Sequence, residues 1–490
     1  MVRSINIFFI CGEKNKICLE FEIGRNRLIL IVHLAQRIIT MSGNKWFGTD
    51  GVRGIANEFP MTADFALKLA MAAAELVCND KKRVAIAKDT RVSGDMLEAA
   101  LIAGFTSKGV DVIRLGIIPT PAVTTFVSEL NVDMALMITA SHNPYYDNGI
   151  KLISSNGDKF SDEVTSQIEA LIEQNSFTID RNSLGKVYED NTIKEKYKQI
   201  AFDMFGDERL TGKKIVVDCA NGCFSYILPD VLRILGAEVI TIGASPDGYN
   251  INKDCGSQHP EDMLALVKQV GADLGIAVDG DGDRIKICDD QGKLIKSEHL
   301  MAFLAKYMQE MGENKNKPFA STKLSNTALE HYITSVLGLE YISTNVGERA
   351  VIKALKEKGG TIGGEESGHI VLLDYAKSGD AMMTALKLMK GIIATGKNTS
   401  EIFPLFDDDF LYFENFKVAS MAQVKEVTSN QELKDLVEEL SLKLSGHGRV
   451  VIHPSGTEPK IRIWVCGDNE TMVKDFGSLL WNKIEYLAHN

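Results

Sequence analysis

Short apolar runs alternate along the chain with longer amphipathic stretches, a pattern that predicts strands alternating with helices. From about residue 44 the pattern recurs three times, in blocks of about 100 residues. The first block predicts strand Arg83–Ile86, helix Gly94–Ser107, and strands Val110–Leu115 and Met134–Ile138. The second predicts strand Ile215–Asp218, helix Ser225–Leu235, and strands Glu238–Ile242 and Leu274–Val278. The third predicts strand Phe319–Thr322, helix Thr327–Val336, strand Glu340–Ser343, helix Glu348–Lys358 and strand Thr361–Gly363. Such alternation predicts βαβ units with mixed or parallel sheets.

The last 80 or so residues break this pattern. They predict a strand at Phe410–Phe416, a helix at Glu432–Leu444, strands at Arg449–His453 and Ile461–Cys466, and a closing helix. The predicted fold class is therefore α/β with four domains, in which three related α/β units and a smaller C-terminal α+β domain surround a central cleft. We expect domain boundaries at 44–195, 196–298, 299–407 and 408–490.

Residues 1–43 do not match the rest of the chain. Their two apolar runs, Ile5–Cys11 and Leu28–Leu34, are each shorter than the roughly 20 residues that a membrane-spanning helix needs. A signal peptide is poorly supported, because Glu13 and Lys14 interrupt the apolar segment and no small-residue cleavage site follows. We interpret the segment as an extension without function.

Composition restricts the classes of partner. Of the 490 residues, 45% are hydrophobic and 24% charged, which is ordinary for a globular protein, and the formal net charge of −12 argues against nonspecific nucleic-acid binding. An anionic substrate would therefore need a local basic pocket. The eight cysteines show no CxxC spacing and indicate reduced thiols, so we expect a cytoplasmic protein that binds neither nucleic acid nor membrane.

One serine lies where a buried strand ends abruptly. Ser141 follows Met134–Ile138, and His142 and Lys151 are close to it in sequence. Asn143-Pro144 and Asp147-Asn148-Gly149 are typical of turns, which predicts a loop on a rigid scaffold. Such a loop could hold a phosphoryl group on the serine.

Three carboxylates follow the next buried strand. Asp279, Asp281 and Asp283 alternate with glycines after Leu274–Val278. They would repel one another without a cation, and oxygen ligands without His or Cys favour Mg²⁺. An acidic turn and a calcium loop are the alternatives. An EF-hand, however, needs glutamate at loop position 12, where this chain has Asp290.

Two further motifs lie in the third block and in the last module. Gly363-Gly-Glu365-Glu-Ser367-Gly-His369 offers donors and acceptors for sugar hydroxyls. Pro454-Ser455-Gly456-Thr457-Glu-Pro459, with Arg462 beyond it, could form a phosphate cradle. Alone, each motif fits an ordinary polar turn equally well.

Together, in this order and spacing, the four motifs resemble the α-D-phosphohexomutase superfamily over residues 44 to about 488. The resemblance implies four domains around a cleft. It is strongest to the branch that interconverts glucosamine 6-phosphate and glucosamine 1-phosphate, through Phe47-Gly-Thr-Asp-Gly-Val-Arg53, Ile118-Pro-Thr-Pro121 and Asn250–Ser257. Two positions depart from that branch: Glu366 stands where it has glutamine, and His453 where it has arginine.

The resemblance also implies a mechanism. Ser141 carries the phosphoryl group, primed by glucosamine 1,6-bisphosphate or a similar sugar, and Mg²⁺ is held by the three aspartates and a phosphoserine oxygen. The implied residues are Arg53 and Arg284 as fixed cations, His142 and Lys151 for proton transfer, Glu365, Ser367 and His369 for the sugar, and Ser455, Gly456, Thr457 and Arg462 for the second phosphate. The partner is a small phosphosugar, and a homodimer is compatible with the family.

Other functions stay open at this point. A phosphomannomutase/phosphoglucomutase is the nearest alternative. A phosphohydrolase would not need a second phosphate cradle, and a noncatalytic sensor would be expected to lose Ser141 or one of the carboxylates, all of which are present.

Overall fold

The computed structural model describes residues 7–12, 16–23 and 26–32 as strands, and residues 45–48, 50–455 and 459–489 with their side chains. The chain divides into two compact units, Met1–Lys45 and Trp46–Asn490. The first unit contains three antiparallel strands, β1 (Ile7–Gly12), β2 (Lys16–Ile23) and β3 (Asn26–Val32). Its interpretation as an extension without function stays a prediction. No described helix is long and apolar enough to cross a membrane.

A seven-stranded mixed sheet forms the first α/β segment of the second unit. Its elements are β4 (Phe47–Gly48), β5 (Gly51–Ile55), α1 (Ala63–Val77), β6 (Arg83–Lys88), α2 (Ser93–Ser107), β7 (Asp111–Ile117), α3 (Thr120–Phe126), β8 (Met134–Ile138), β9 (Asp147–Ser154), α4 (Asp162–Gln174), β10 (Val187–Glu189) and α5 (Thr192–Phe205). The strand order is β10-β7-β6-β8-β9-β5-β4, and β9 runs antiparallel to β8. The four elements predicted here are confirmed to within two residues.

The turn after β8 ends earlier than the sequence predicts. The prediction of Asp147, Asn148 and Gly149 as turn residues is wrong, because all three begin β9. These three residues pair with β5, and the rest of the strand, from Ile150, pairs with β8, so the sheet takes up backbone groups that a turn would leave to solvent. The Asn148 amide donates to the Ser93 hydroxyl at 2.8 Å. Tertiary pairing thus overrides the local preference for a turn.

The second α/β segment has a five-stranded sheet in the order β12-β11-β13-β14-β15. Its elements are β11 (Lys214–Asp218), α6 (Leu228–Ile234), β12 (Glu238–Ile242), α7 (Glu261–Val270), β13 (Leu274–Val278), β14 (Ile285–Cys288) and β15 (Leu294–Ile295). The predicted helix Ser225–Leu235 is wrong in its first turn. A 3₁₀ turn covers Cys223–Tyr226, and the α-helix begins only at Leu228, where Pro229 fits the first turn because it needs no N–H partner.

The third segment has four strands in the order β17-β16-β18-β19. Its elements are α8 (Ser297–Glu310), β16 (Phe319–Thr322), α9 (Thr327–His331), β17 (Tyr341–Thr344), α10 (Glu348–Lys358), β18 (Ile362–Gly364), β19 (Ile370–Leu372), α11 (Ala381–Thr395) and α12 (Thr399–Ile402). The predicted helix Thr327–Val336 is α-helical only to His331, and a π-helical turn continues it to Val336. The Thr334 hydroxyl donates to the Glu330 carbonyl there, a bond that disturbs helical geometry.

The C-terminal segment is a three-stranded antiparallel sheet, β20-β22-β21, with three helices. Its elements are β20 (Phe410–Lys417), α13 (Met421–Ser429), α14 (Gln431–Lys443), β21 (Gly448–Pro454), β22 (Lys460–Gly467) and α15 (Glu470–His489). Helix α13, which the sequence reading missed, begins at a Ser420 cap whose hydroxyl accepts from the Gln423 N–H.

One buried apolar cluster runs continuously through all three α/β segments. The C-terminal segment has a separate core, and a small cluster of Leu324, Val451, Trp464 and Cys466 joins it to the third segment. The first three segments therefore form one packed body. The domain boundaries within residues 44–490 stay predictions.

Candidate active site

The Ser141 turn is held in a backbone conformation that few non-glycine residues adopt. Ser141 has φ +54° and is 1% exposed. Its N–H donates to the Thr139 hydroxyl at 2.9 Å. The buried Arg91 guanidinium donates to the carbonyls of Ser141 and Asn143 at 2.9 and 2.8 Å, and the Asn252 amide donates to the same two carbonyls. Groups from two segments thus fix the serine.

The three aspartates form a compact acidic cluster after β13. One carboxylate oxygen from each of Asp279, Asp281 and Asp283 lies within 4.8 Å of the others, and all three residues are buried. The Ser141 hydroxyl donates to Asp279 Oδ2 at 2.7 Å, and Asp281 Oδ1 is buried without a hydrogen-bond partner among the residues that the structure describes. Burial raises the pKa of Asp279 well above its usual value, and the charges of Asp283 and Asp281 raise it further. A hard cation suits this arrangement, because it would satisfy the free oxygen and offset the repulsion.

Lys151 inserts its ammonium between two of these carboxylates. Its Nζ lies 2.8 Å from Asp281 Oδ2, 3.2 Å from Asp283 Oδ2 and 3.2 Å from Asp50 Oδ2. Burial alone would lower the pKa of Lys151, but the charges of these carboxylates raise it well above its ordinary value. The side chain is therefore a buried cation.

His142 lies beside the serine and, unlike Lys151, is uncharged. Its Nδ1 is 3.4 Å from Ser141 Oγ. Burial lowers the pKa of His142 to about 3, and the nearby charges of Arg284 and Arg53 contribute to this shift. The imidazole is therefore neutral at pH 7, which allows it to accept a proton.

Two arginines of the site each have an N–H group that pairs with no other described residue. Arg53 pairs with Asp50 at 2.6 Å, yet its Nε is buried and has no partner among the described residues. Arg284 likewise has a buried Nε without a partner, while its backbone N–H donates to Asp279. Both guanidinium groups could still bind an anion.

The third-segment motif contacts the aspartate cluster through His369. Its Nε2 lies 2.9 Å from Asp283 Oδ1 and its Nδ1 lies 3.3 Å from Glu365 Oε2. Burial opposes protonation of this ring, but Asp283 raises the pKa of His369 to about 10. Glu365 also accepts from the Gly347 N–H at 2.9 Å, and the buried Ser367 hydroxyl is without a partner in the described part of the chain. His369 thus links the second and third segments.

The C-terminal motif lies in the turn between β21 and β22. The Ser455 N–H donates to the Lys460 carbonyl at 2.9 Å, whereas Gly456 and Thr457 lie outside the described residues. Arg462 is directly across the strand pair from His453. Burial lowers the pKa of His453, and the charges of Arg462 and Lys323 lower it further. The positive charges beside this turn are therefore those of Arg462 and Lys323.

Several residues of the site were missed by the sequence reading. Thr120 donates its hydroxyl to Asp281 Oδ2 at 2.6 Å, and Asp50 lies within ion-pair distance of Arg53, Lys151 and Lys159. Both belong to motifs quoted for the family resemblance. The anchoring role of Arg91 has no comparable signal, because it depends on a loop that arrives 50 residues later.

Four family models match the chain in succession. Models of the phosphoglucomutase/phosphomannomutase α/β/α domains I, II and III match residues 44–179, 193–292 and 296–408, and the model of the C-terminal domain matches residues 414–476. The fold and the acidic serine site thus define a phosphohexomutase, and the chain belongs to the phosphoglucomutase/phosphomannomutase family.

The more similar relatives of this chain share one name. Proteins named phosphoglucosamine mutase from Paramagnetospirillum magneticum and Parvibaculum lavamentivorans are each 42% identical to this chain, over 435 and 434 residues. In both cases the alignment covers 88% of this chain and 96% of the relative. A protein of the same name from Mesorhizobium japonicum is 40% identical, covering 89% and 96%.

Solved structures share the fold at lower identity. A phosphoglucomutase/phosphomannomutase family protein from Burkholderia thailandensis has a TM-score of 0.75 at 20% identity, covering 90% of this chain and 97% of that one. N-acetylphosphoglucosamine mutase from Aspergillus fumigatus, in complex with GlcNAc-6P and magnesium, has a TM-score of 0.61 at 16% identity, covering 90% and 96%. These likenesses confirm the four-domain fold.

Proposed function

We propose that the protein is a phosphoglucosamine mutase, which interconverts glucosamine 6-phosphate and glucosamine 1-phosphate through phospho-Ser141 and glucosamine 1,6-bisphosphate. The observation that carries the proposal is the contact between the Ser141 hydroxyl and Asp279 within the buried acidic cluster. Relatives of this name, about 40% identical over most of the chain, support the amino-sugar substrate.

Magnesium is the metal we propose for the acidic cluster. Asp279, Asp281, Asp283 and a phosphoserine oxygen on Ser141 would hold it, and Asp281 Oδ1, which has no hydrogen-bond partner in the described part of the chain, supports this assignment. When bound, the ion would neutralise negative charge that develops on the phosphoryl group during transfer.

Transfer then proceeds in two matched steps. In the first, a sugar hydroxyl oxygen bonds to the phosphorus of phospho-Ser141, the bond from phosphorus to Oγ breaks, and the hydroxyl proton passes to a base. After the bisphosphate turns end for end, Oγ attacks its other phosphate and the released sugar oxygen regains a proton. His142 and Lys151 are the candidates for moving these protons, and Lys151, a buried cation, must give up a proton before it can accept one. Arg53 and Arg284 are the candidates for binding the phosphoryl oxygens.

The remaining site residues bind the parts of the substrate that do not react. Glu365 and Ser367 would hold sugar hydroxyls, with His369 fixing the position of Glu365. Ser455, Gly456, Thr457 and Arg462 would bind the second phosphate.

A phosphomannomutase/phosphoglucomutase activity is the second candidate, because the matching family models are described by those names. The deciding experiment compares kcat/KM for glucosamine 1-phosphate and glucose 1-phosphate on the purified, primed enzyme with Mg²⁺. We expect the amino sugar to be preferred by at least tenfold. Equal rates, or a preference for the neutral hexose, would overturn the proposal.

Two further features belong to the same proposal. We expect a cytoplasmic enzyme, in keeping with the buried and unbridged cysteines Cys78, Cys219, Cys223, Cys255, Cys288 and Cys466. A homodimer is the oligomeric state we expect, and sedimentation measurements would test it.

A further inference from the structure

Asp380 is a buried carboxyl group for which the proposed mechanism gives no role. Its Oδ1 accepts from the Met383 N–H at 3.0 Å, and its Oδ2 accepts from the Tyr197 hydroxyl at 2.7 Å. Burial raises the pKa of Asp380 to about 6, so the group is mainly ionised at neutral pH. No Lys, Arg or His of the described ranges forms an ion pair with it. Hydrogen bonds therefore take the place of a counter-ion.

Helix α11, which Asp380 caps, begins against the loop that carries the three aspartates. Its first residue, Ala381, donates its N–H to the Gly282 carbonyl at 3.1 Å. Gly282 lies between Asp281 and Asp283 and has φ +78°. The start of α11 therefore contacts the loop at the residue that separates two proposed metal ligands.

The other two α/β segments hold the same loop by the same kind of bond. The Gly280 carbonyl accepts from the N–H of Cys223, in the second segment, at 2.9 Å. The Asp281 carbonyl accepts from the N–H of Thr120, in the first segment, at 3.0 Å. The bond to Gly282 differs from these two, because its donor lies at the start of a helix whose cap is a buried carboxylate.

Tyr197 connects this cap to α5 and to the other side of the loop. Its buried ring stacks on that of Phe224, with the centroids 6.4 Å apart. Phe224 packs closely on the loop, since a Cβ atom added to Gly282 would lie 2.2 Å from Phe224 Cε2. A buried carboxylate oxygen without a donor is costly, so the Tyr197 hydroxyl fixes the orientation of Asp380.

We infer that Tyr197 and Asp380 are positioning residues that hold Gly282 in place and thereby set the affinity of the aspartate cluster for a divalent cation. The inference rests on the proposed function, because it takes the cluster to be the magnesium site. Neither side chain contacts the three carboxylates, so the pair acts through the backbone of the loop. Groups that orient metal ligands in this indirect way typically change metal affinity about 10- to 100-fold when they are removed.

The test measures the binding of Mn²⁺, as a spectroscopic substitute for Mg²⁺, to the purified unprimed protein by electron paramagnetic resonance. Tyr197→Phe keeps the ring and its stacking but leaves Asp380 Oδ2 without its donor. We expect this variant to raise the Mn²⁺ dissociation constant about tenfold. Tyr375→Phe, which removes a hydroxyl that accepts from Lys387 in the third segment, is the matched control and should leave the constant unchanged.

Asp380→Asn separates the effect of position from that of charge. Asparagine caps a helix as well as aspartate does, and its amide can donate to the Tyr197 oxygen, so this variant should bind Mn²⁺ within about threefold of wild type. Asp380→Ala removes both bonds and should bind Mn²⁺ at least as weakly as Tyr197→Phe.

The outcomes separate the inference from the function on which it rests. If Tyr197→Phe unfolds at a lower urea concentration but binds Mn²⁺ as the wild type does, the pair has a purely structural role and the inference is wrong. Equal weakening by Asp380→Asn and Asp380→Ala would also overturn it, because charge would then be the cause. A wild type that binds no Mn²⁺ would overturn the inference together with the metal assignment. If the wild type prefers glucose 1-phosphate, the proposed function fails, while weaker Mn²⁺ binding by Tyr197→Phe would still support the inference.

Discussion

Replacing Arg91 with methionine should damage both the stability of the protein and the reactivity of Ser141. The guanidinium is fully buried, pairs with Asp89 at 2.8 Å and donates to the carbonyls of Ser141, Asn143, Pro144 and Asp147. Methionine fills much of the same volume but leaves the Asp89 carboxylate buried without its cation.

The expected cost follows from this loss. Breaking a buried ion pair by removing one partner costs about 3–5 kcal/mol, so the free energy of unfolding of Arg91→Met should fall by about that amount. Arg91→Lys keeps a cation for Asp89, so it should lose less stability. Its ammonium cannot donate hydrogen bonds to all four carbonyls, so this variant should still lose mutase activity. Arg233→Met, at a half-exposed pair with Asp230, is the control and should change stability by less than about 1 kcal/mol.

Urea unfolding followed by circular dichroism, together with mutase turnover, measures both effects. Burial already raises the pKa of Asp89, and losing Arg91 removes the main opposing charge. An acid whose pKa is raised on folding loses stability as the pH rises above its unfolded value, so the deficit of Arg91→Met should grow from about pH 4 upward. If Arg91→Met unfolds within about 1 kcal/mol of wild type and keeps its turnover, the anchoring argument is wrong.

Four further predictions concern the reaction. Ser141→Ala should keep the circular dichroism spectrum but lose turnover at least about a thousandfold, and retained turnover would contradict the phosphoserine mechanism. Treatment with EDTA should abolish turnover, Mg²⁺ should restore it, and Asp281→Asn should need more Mg²⁺ for half-maximal rate; an unchanged requirement would contradict the metal assignment. His453→Arg should lower KM for the phosphosugar about two- to fivefold, equivalent to about 0.5–1 kcal/mol, because burial, Arg462 and Lys323 hold the native ring neutral. Arg462→Met should raise KM. Small-angle scattering should show a more compact particle with bisphosphate, as the C-terminal segment closes on a hinge near residues 404–409; superimposable profiles would contradict a moving lid.

Local pattern was enough to predict most strands of the α/β segments. Strands such as Met134–Ile138 and Leu274–Val278 are short apolar runs bounded by turn residues, and their bounds were predicted correctly. The errors arise where neighbours decide the outcome. Asp147-Asn148-Gly149 has the composition of a turn but is paired with β5. Near Ser225 the chain forms a 3₁₀ turn, and the α-helix begins only at Leu228.

The residues of the site also divide into those that local sequence could predict and those that depend on distant neighbours. The motifs identified Ser141 and the three aspartates because their residue types indicate the chemistry directly. Arg91 could not be identified, and the role of Asn252 could not be read from the Asn250–Ser257 motif, because both residues act by donating to the carbonyls of a loop that is distant in sequence. The link from His369 to Asp283 depends likewise on how two sheets are packed.

The contacts of Asp283 restrict which segments of the protein can move relative to one another. It belongs to the second segment, its Oδ2 lies 3.2 Å from Lys151 of the first, and its Oδ1 lies 2.9 Å from His369 of the third. Shifting any of these segments by an ångström would separate buried charges, which costs several kcal/mol. The continuous apolar core of the three segments holds them in place. The C-terminal segment has its own core, and it joins the third through a small apolar cluster and a partly exposed ion pair of Arg449 with Glu330. We therefore expect it to be the part that opens the cleft and leaves the buried charges paired.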